Sequence, residues 1–234
     1  MKKIGLVALF FVAFWTEALV AQDNSFREID DRPWHYGFVL GFNVFNFSVT
    51  PTNIKQFQGA QVSSVTPGFT VGLILDKRLS KYFDLRTVPT LNLLDRVVTY
   101  QDSSLRVNKS VPATIDFKSS LIDIPVFVKY RAVWYGHSRP YVLLGGGMTY
   151  SLSHDGVDGD GNTQVALKPF DFYIAAGVGC DFYFKYFRLA PELKFTFGLN
   201  NLLNSTPPSG ANPLYTNELS KMTSRAVVLS FNFE

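Results

Sequence analysis

Beyond its first residues, this 234-residue chain has no apolar run long enough to cross a membrane as a helix, which takes about 20 residues. It has one cysteine, Cys180, so an internal disulfide framework and a Cys-based zinc site are both excluded. It has little net charge, because 22 basic and 19 acidic residues leave only +3 and the bases are spread along the chain. A nucleic-acid-binding surface is not expected from that balance. Histidines are scarce: His35, His137 and His154 fall at a strand start, a short turn and a loop. Ser151 and Ser153 near His154 come closest to a nucleophile with its base, but no third member stands at strand spacing. A surface hydrolase is therefore a minor alternative, and the chain is expected not to be an enzyme. The stretch from His154 to Asn162 superficially resembles a calcium loop, yet it lacks the glycine and bidentate glutamate of an EF-hand. It is read as a solvated loop. No cofactor, metal or small-molecule substrate is implied.

Aromatic and apolar residues, by contrast, are abundant. The chain is 47% hydrophobic and 15% aromatic, with 22 Phe and 11 Tyr, a composition that favours strands. At the start, Lys2 and Lys3 precede an apolar run from Ile4 to Trp15, and small residues follow at Ala18 and Ala21. That order predicts a secretory signal peptide over residues 1–21, cut after Ala21. A membrane anchor is the alternative, but the run stops at Glu17 and is short for a span. No cysteine follows it, so no lipoprotein anchor is supported. Residues 22–33 are polar and are expected to form a flexible periplasmic lead-in; residues 34–234 are expected to form one barrel domain.

From Trp34 onward the sequence alternates with period two. The expected strands run Trp34 to Val44, Pro67 to Leu79, Tyr82 to Asn92, Leu121 to Tyr135, Arg139 to Leu152, Pro169 to Tyr183, Phe187 to Asn200 and Arg225 to Phe233. In the fourth, Ile122, Ile124, Val126, Val128 and Tyr130 oppose Asp123, Lys129 and Arg131. In the sixth, Phe170, Phe172, Ile174, Val178, Cys180 and Phe182 oppose Asp171, Tyr173, Gly177, Gly179 and Asp181. Alternation sustained over many residues gives each strand one apolar and one polar face. A change of phase at Val44-Phe45 suggests a bulge or an early strand end there.

The connections alternate as well. Ser80-Lys81, Gly136-His137-Ser138 and Lys185-Tyr186 are short, whereas 51–66, 95–120, 153–168 and 201–224 are long and polar. Tight periplasmic turns and long extracellular loops are the habit of outer-membrane barrels. The expected fold is all-β: an eight-stranded antiparallel up-and-down transmembrane β-barrel with both termini in the periplasm. Trp34, Tyr36, Tyr82, Phe83, Trp134, Tyr135, Tyr141, Phe184, Tyr186 and Phe187 gather at the short-turn ends as an aromatic girdle. The closing Phe231-Asn232-Phe233-Glu234 suits a terminal strand recognised by barrel-assembly machinery. A soluble barrel would instead bury the apolar faces, but those faces carry the bulkiest side chains, and the polar faces are rich in glycine.

If apolar means outward, Arg86, Asp123, Lys129, Arg131, Asp171, Asp181, Arg188, Glu192 and Lys194 point inward. Unpaired charges in a small barrel cost several kcal/mol each, so these nine are expected to pair into a structural lumen network. A barrel of about eight strands is filled by its own side chains. A plugged lumen is therefore favoured over a narrow ion or proton path.

Several segments resemble the PorT (SprT) family of the type IX secretion system. They are His35 to Asn43 (HYGFVLGFN), Pro67 to Gly72 (PGFTVG), Tyr82 to Arg86 (YFDLR) and Ile122 to Tyr130 (IDIPVFVKY). Asp181 to Phe187 (DFYFKYF), Pro191 to Lys194 (PELK), Phe197 to Leu202 (FGLNNL), Ser224-Arg225 and Leu229 to Phe231 complete the set. The glycine-strand motifs are shared widely among small barrels; YFDLR and GLNNL are more particular to PorT. The resemblance implies an integral outer-membrane component needed for export of cargo proteins and, in some bacteria, for gliding. Its implied surroundings are outer-membrane lipid and other secretion-system proteins, and it supplies no catalytic residues. A generic small barrel serving envelope integrity or binding a ligand or adhesin is the alternative.

Overall fold

The computed structural model describes residues 30, 32–51, 60–64, 67–100, 113–152, 155–158, 163–184, 186–202 and 219–234. The expected signal peptide, most of the lead-in, Ser153, His154 and the 159–162 part of the calcium-like run lie outside the described residues.

Twelve strands make one antiparallel sheet: β1 (Trp34–Pro51), β2 (Ala60–Ser64), β3 (Pro67–Arg78), β4 (Phe83–Thr87), β5 (Thr90–Tyr100), β6 (Ala113–Arg131), β7 (Ser138–Ser151), β8 (Asp155–Asp158), β9 (Thr163–Ala166), β10 (Phe170–Tyr183), β11 (Arg188–Gly198) and β12 (Leu219–Phe233). Hydrogen bonding runs β1–β3–(β4, β5)–β6–β7–β10–β11–β12 and returns to β1, which closes an eight-walled barrel. Closure leaves no unpaired edge within the wall, the condition for crossing lipid with strands. The three short strands stand apart from the wall. β2 pairs with β5, and the β8–β9 hairpin pairs with β6, all beyond the barrel at the long-loop end. The long segments expected to be loops thus carry strand structure of their own, because β5 and β6 project far enough to template it.

Two sequence expectations change. The third wall is one expected strand but two observed ones, β4 and β5, separated at Val88-Pro89. Pro89 lacks an N–H, and so does Pro125, which the flanking β6 registers place opposite Val88. The two prolines stand one position apart across adjacent strands and remove ladder donors from both sides. The register is unchanged across the gap, and the Thr87 hydroxyl donates to the Pro125 carbonyl at 2.7 Å in place of the ladder. The second change is at Val44-Phe45, where no bulge occurs. β1 pairs in step with β12 from Phe38 to Thr50 and shifts only at Thr50/Pro51. Phe45 keeps inward parity and lines the upper lumen, so an aromatic there is a lumen filler rather than a phase break.

The partition of side chains is inverted relative to a soluble protein. Arg86, Lys129 and Arg131 are 0% exposed, while Leu73 and Leu144 are 68% and 67% exposed. Large apolar residues cover the outer face of every wall, an area far beyond what a soluble monomer leaves in water. The soluble alternative is thereby excluded. Inside, Phe127, Tyr141, Leu143, Tyr173, Ala175 and Ala190 form one apolar cluster, and Val39, Ile74 and Val88 another. Glycines let this bulk fit. A Cβ on Gly147 would meet the Tyr173 hydroxyl at 2.8 Å, and one on Gly177 would meet the Lys194 stem at 2.9 Å. The turn into β7 uses Gly136 at φ +60°, which only glycine adopts freely.

The expected girdle is present at the short-turn end, with two departures. Tyr36, Tyr135 and Tyr186 are exposed, and the Lys77 ammonium lies 5.1 Å from the Trp34 ring centroid. Tyr141, however, points into the lumen at 3% exposure, and Trp134 folds against Tyr183, 4.5 Å between centroids. Tyr141 follows the inward parity of Arg139 and Leu143 on β7, which outweighs its aromatic character. Leu144→Arg, mid-wall on β7, is predicted to cost about 2–4 kcal/mol in denaturant unfolding from vesicles, while Leu144→Phe stays near neutral.

Candidate functional site

The chemistry of this barrel lies in its lumen, built in tiers by residues of inward parity. At the short-turn end, Arg131 of β6 pairs with Asp84 of β4 at 2.6 Å. Arg188 of β11 pairs with Glu234 and lies 3.6 Å from Asp30. Asp30 precedes β1 in sequence, yet it is buried here. Its carboxylate accepts from Arg131 Nη1 at 2.5 Å, Arg139 Nη1 at 2.9 Å and the Tyr183 hydroxyl at 2.7 Å. Arg78 Nη1 donates to its backbone carbonyl at 2.5 Å. Burial acts to raise the Asp30 pKa, but Arg131, then the Tyr183 hydroxyl, Arg139 and Arg188 outweigh it and hold the carboxyl below its ordinary value.

In the middle tier Arg86 is the hub. Its guanidinium donates to Asp76 at 2.7 and 3.0 Å and to Glu234 at 2.7 Å, and reaches Glu192 at 3.5 Å. Glu192 also accepts from the Tyr141 hydroxyl at 2.7 Å and pairs with Lys194 at 3.0 Å. Lys129 donates to both oxygens of Asp181, at 3.0 and 2.8 Å, with its ammonium 3.9 Å from the Tyr141 ring centroid. Every charge in this tier has a partner of opposite sign, which low-dielectric burial demands.

In the tier toward the long loops, hydroxyl and amide groups bond to the carboxylates. Asp123 accepts from Thr149 at 2.5 Å and from Asn92 at 2.7 Å. Thr70, Asn43 and Asn92 bond to one another, with Thr70 to Asn92 at 2.6 Å and Asn43 to Thr70 at 2.8 Å. Asp171 accepts from Ser224. Above this tier the Gly198-Leu199-Asn200-Asn201-Leu202 segment continues the wall from the end of β11, bonded to the chain on both sides. Lys168 N donates to Leu202 O at 2.8 Å, Leu202 N to Met222 O at 2.9 Å, and Met222 N to the Asn201 side chain at 3.0 Å. Leu202, Leu167 and Leu121 are buried at this level.

All nine residues named from sequence are buried in the lumen. Direct ion pairs among them join Lys129 to Asp181 and Glu192 to Arg86 and Lys194. Arg131 and Arg188 pair instead with Asp30, Asp84 and Glu234, which the sequence reading left out. Asp123 accepts from the Asn92 amide and the Thr149 hydroxyl, and Asp171 accepts from the Ser224 hydroxyl. Asp76, Asp84, Arg139, Tyr141 and Glu234 all follow the inward parity of their strands and were findable from it. Asp30 carries no such signal, because the residues around it alternate with nothing. It also corrects the lead-in: residue 30 is not a free tail but part of the lumen floor.

Little space remains. The upper lumen holds cavities of about 30 Å³ each, one beside Asp171 and Ser224 and one beside Asp123 and Lys194. A larger one of about 190 Å³ lies at the floor beside Asp30, Arg188 and Glu234. The upper cavities have room for a water or two.

An apolar belt outside, a closed ladder and a charge-paired interior define an integral outer-membrane β-barrel. The chain belongs to the outer membrane protein beta-barrel domain family, whose profile matches residues 20–204. Its fold is similar to that of OprG from Pseudomonas aeruginosa, with a TM-score of 0.51 at 12% identity over 85% of this chain and 92% of that one. Neisserial surface protein A aligns at TM-score 0.44 and 8% identity, covering 86% of this chain and 98% of that one. Ail of Yersinia pestis aligns at 0.41 and 10%, covering 86% and 99%. No curated protein matches the chain.

Replacing one member of the Lys129–Asp181 pair, as in Lys129→Met, strands a buried charge and is predicted to cost about 3–5 kcal/mol. The double change Lys129→Met with Asp181→Leu is predicted to recover most of that loss. Denaturant unfolding of folded protein in vesicles measures both.

Proposed function

We propose that this protein is a non-conducting outer-membrane scaffold or assembly factor of the type IX secretion system, of the PorT (SprT) kind. The observation that carries the reading is where the PorT-like segments fall. YFDLR supplies Asp84 and Arg86, IDIPVFVKY supplies Asp123 and Lys129, DFYFKYF supplies Asp181 and Tyr183, and PELK supplies Glu192 and Lys194. GLNNL supplies the segment that carries the wall on from β11 and bonds to Lys168 and Met222. The segments that resemble the family thus include these inward charged positions, alternating with outward apolar ones such as Phe38, Ile124 and Val128. A barrel filled in this way is too narrow for folded cargo, so its contribution to export lies at its two rims. In this reading the short turns and both termini face the periplasm and the long loops face outward.

A second reading, a generic small barrel for envelope integrity or for binding a ligand or adhesin, draws on the family match and on β2, β8 and β9. Those strands extend the β5–β6 side of the wall beyond the barrel and offer a one-sided surface for contact. A deletion strain separates the two. The secretion reading expects the cargo proteins to vanish from the medium and to return on complementation. Intact export with altered envelope permeability would reject it in favour of the generic barrel.

A further inference from the structure

The floor of the lumen is built as a receptor for one carboxylate that the barrel strands do not themselves supply. Arg78 of β3, Arg131 of β6, Arg139 of β7, Tyr183 of β10 and Arg188 of β11 come from five of the eight walls and converge on Asp30. Arg131 and Arg188 have carboxylates of their own within the barrel, Asp84 and Glu234. The guanidinium of Arg139 is otherwise directed at the backbone carbonyls of Ala132 and Lys81 and at the Trp134 ring. Asp30 therefore supplies a neutralising charge to a cluster whose cations would outnumber their partners without it. Beside it lies the cavity of about 190 Å³, lined by Asp30, Tyr183, Arg188, Trp34 and Tyr36 among others, where a neighbouring peptide group has room.

We propose that this mouth is a carboxylate-binding site for an acidic peptide segment of a partner protein, and that Asp30 of the chain's own lead-in occupies it in the resting state. The lead-in is itself net acidic: Asp23, Glu28, Asp30 and Asp31 stand against Arg27 and Arg32 within residues 22–33. A partner's acidic segment displaces it by exchanging one charge-assisted carboxylate for another, which frees the lead-in as it docks the partner. Burial of the exchanging carboxylate gives the site its selectivity, because a neutral side chain leaves the Arg139 guanidinium without a counter-charge. The inference concerns the short-turn mouth alone. It holds for either reading of the barrel's role, so its failure and theirs are told apart.

The probe is the synthetic peptide of residues 22–33, fluorescently labelled, added to full-length protein in detergent micelles. In the wild type the tethered Asp30 competes at high effective concentration, so Asp30→Ala protein is expected to bind the peptide at least about tenfold more tightly than wild type does. The same peptide with Asn in place of Asp30 is expected to lose that binding, as is the Asp30→Ala protein carrying Arg139→Ala as well. Equal binding to wild type and variant, or binding that ignores the Asp30→Asn change in the peptide, would overturn the proposal; so would no binding to a variant that keeps heat-modifiable migration. Should Asp30→Ala fail to fold, a chain with Cys180→Ser and a fluorophore at Ser25→Cys reports release directly. Its anisotropy is expected to fall on adding unlabelled peptide, and an unchanged signal would overturn the inference.

Discussion

Lys129 and Asp181 meet inside the barrel with neither side chain exposed, and the rest of the molecule is arranged around the need to keep such charges together. A lysine and an aspartate on adjacent residues of a lipid-facing surface would be expelled. Here period-two alternation turns both inward, and the same alternation turns Val128, Tyr130, Phe182 and Val178 outward. Burial makes an unpaired charge costly, so the interior is assembled as an interlocking set in which Arg86 joins Asp76, Glu192 and Glu234. The barrel closes because every wall contributes at least one group to that set or to the apolar clusters packed against it.

This constraint has a consequence for function. Space that a porin leaves for water is occupied here by guanidinium groups, carboxylates, Phe127, Tyr141 and Tyr173. What the protein offers to other molecules is therefore confined to its ends. One end carries strands β2, β8 and β9 beyond the wall; the other carries the Asp30 floor and the aromatic turns. Neither end depends on passage through the lumen.

Much of this was legible in the sequence, for a definite reason. In a strand the side-chain period is two whatever the surroundings, so Asp123, Lys129, Asp181 and Glu192 could be assigned to the lumen without knowing any contact. Tyr141 was misread because aromatic character suggested the interface, while its parity with Arg139 already placed it inside. The break at Val88-Pro89 escaped because it depends on Pro125 lying opposite, a fact of register between strands far apart in sequence. The supposed bulge at Phe45 arose from reading two successive apolar residues, Val44 and Phe45, as a change of phase, whereas Phe45 faces the lumen. Asp30 was out of reach altogether: alternation reports on a residue's own strand, and Asp30 belongs to none. Its role is set by five side chains that only the closed barrel brings together.

The interior is a packed, charge-paired core rather than a water-filled path. Electrical recording of the purified full-length protein in planar lipid bilayers tests this most directly. A packed lumen gives a baseline without stepwise conductance, whichever sign of voltage is applied, from protein whose insertion is verified independently. Steady unitary steps that grow with salt concentration, and that Lys129→Met or Asp181→Asn alters in ion selectivity, would contradict it.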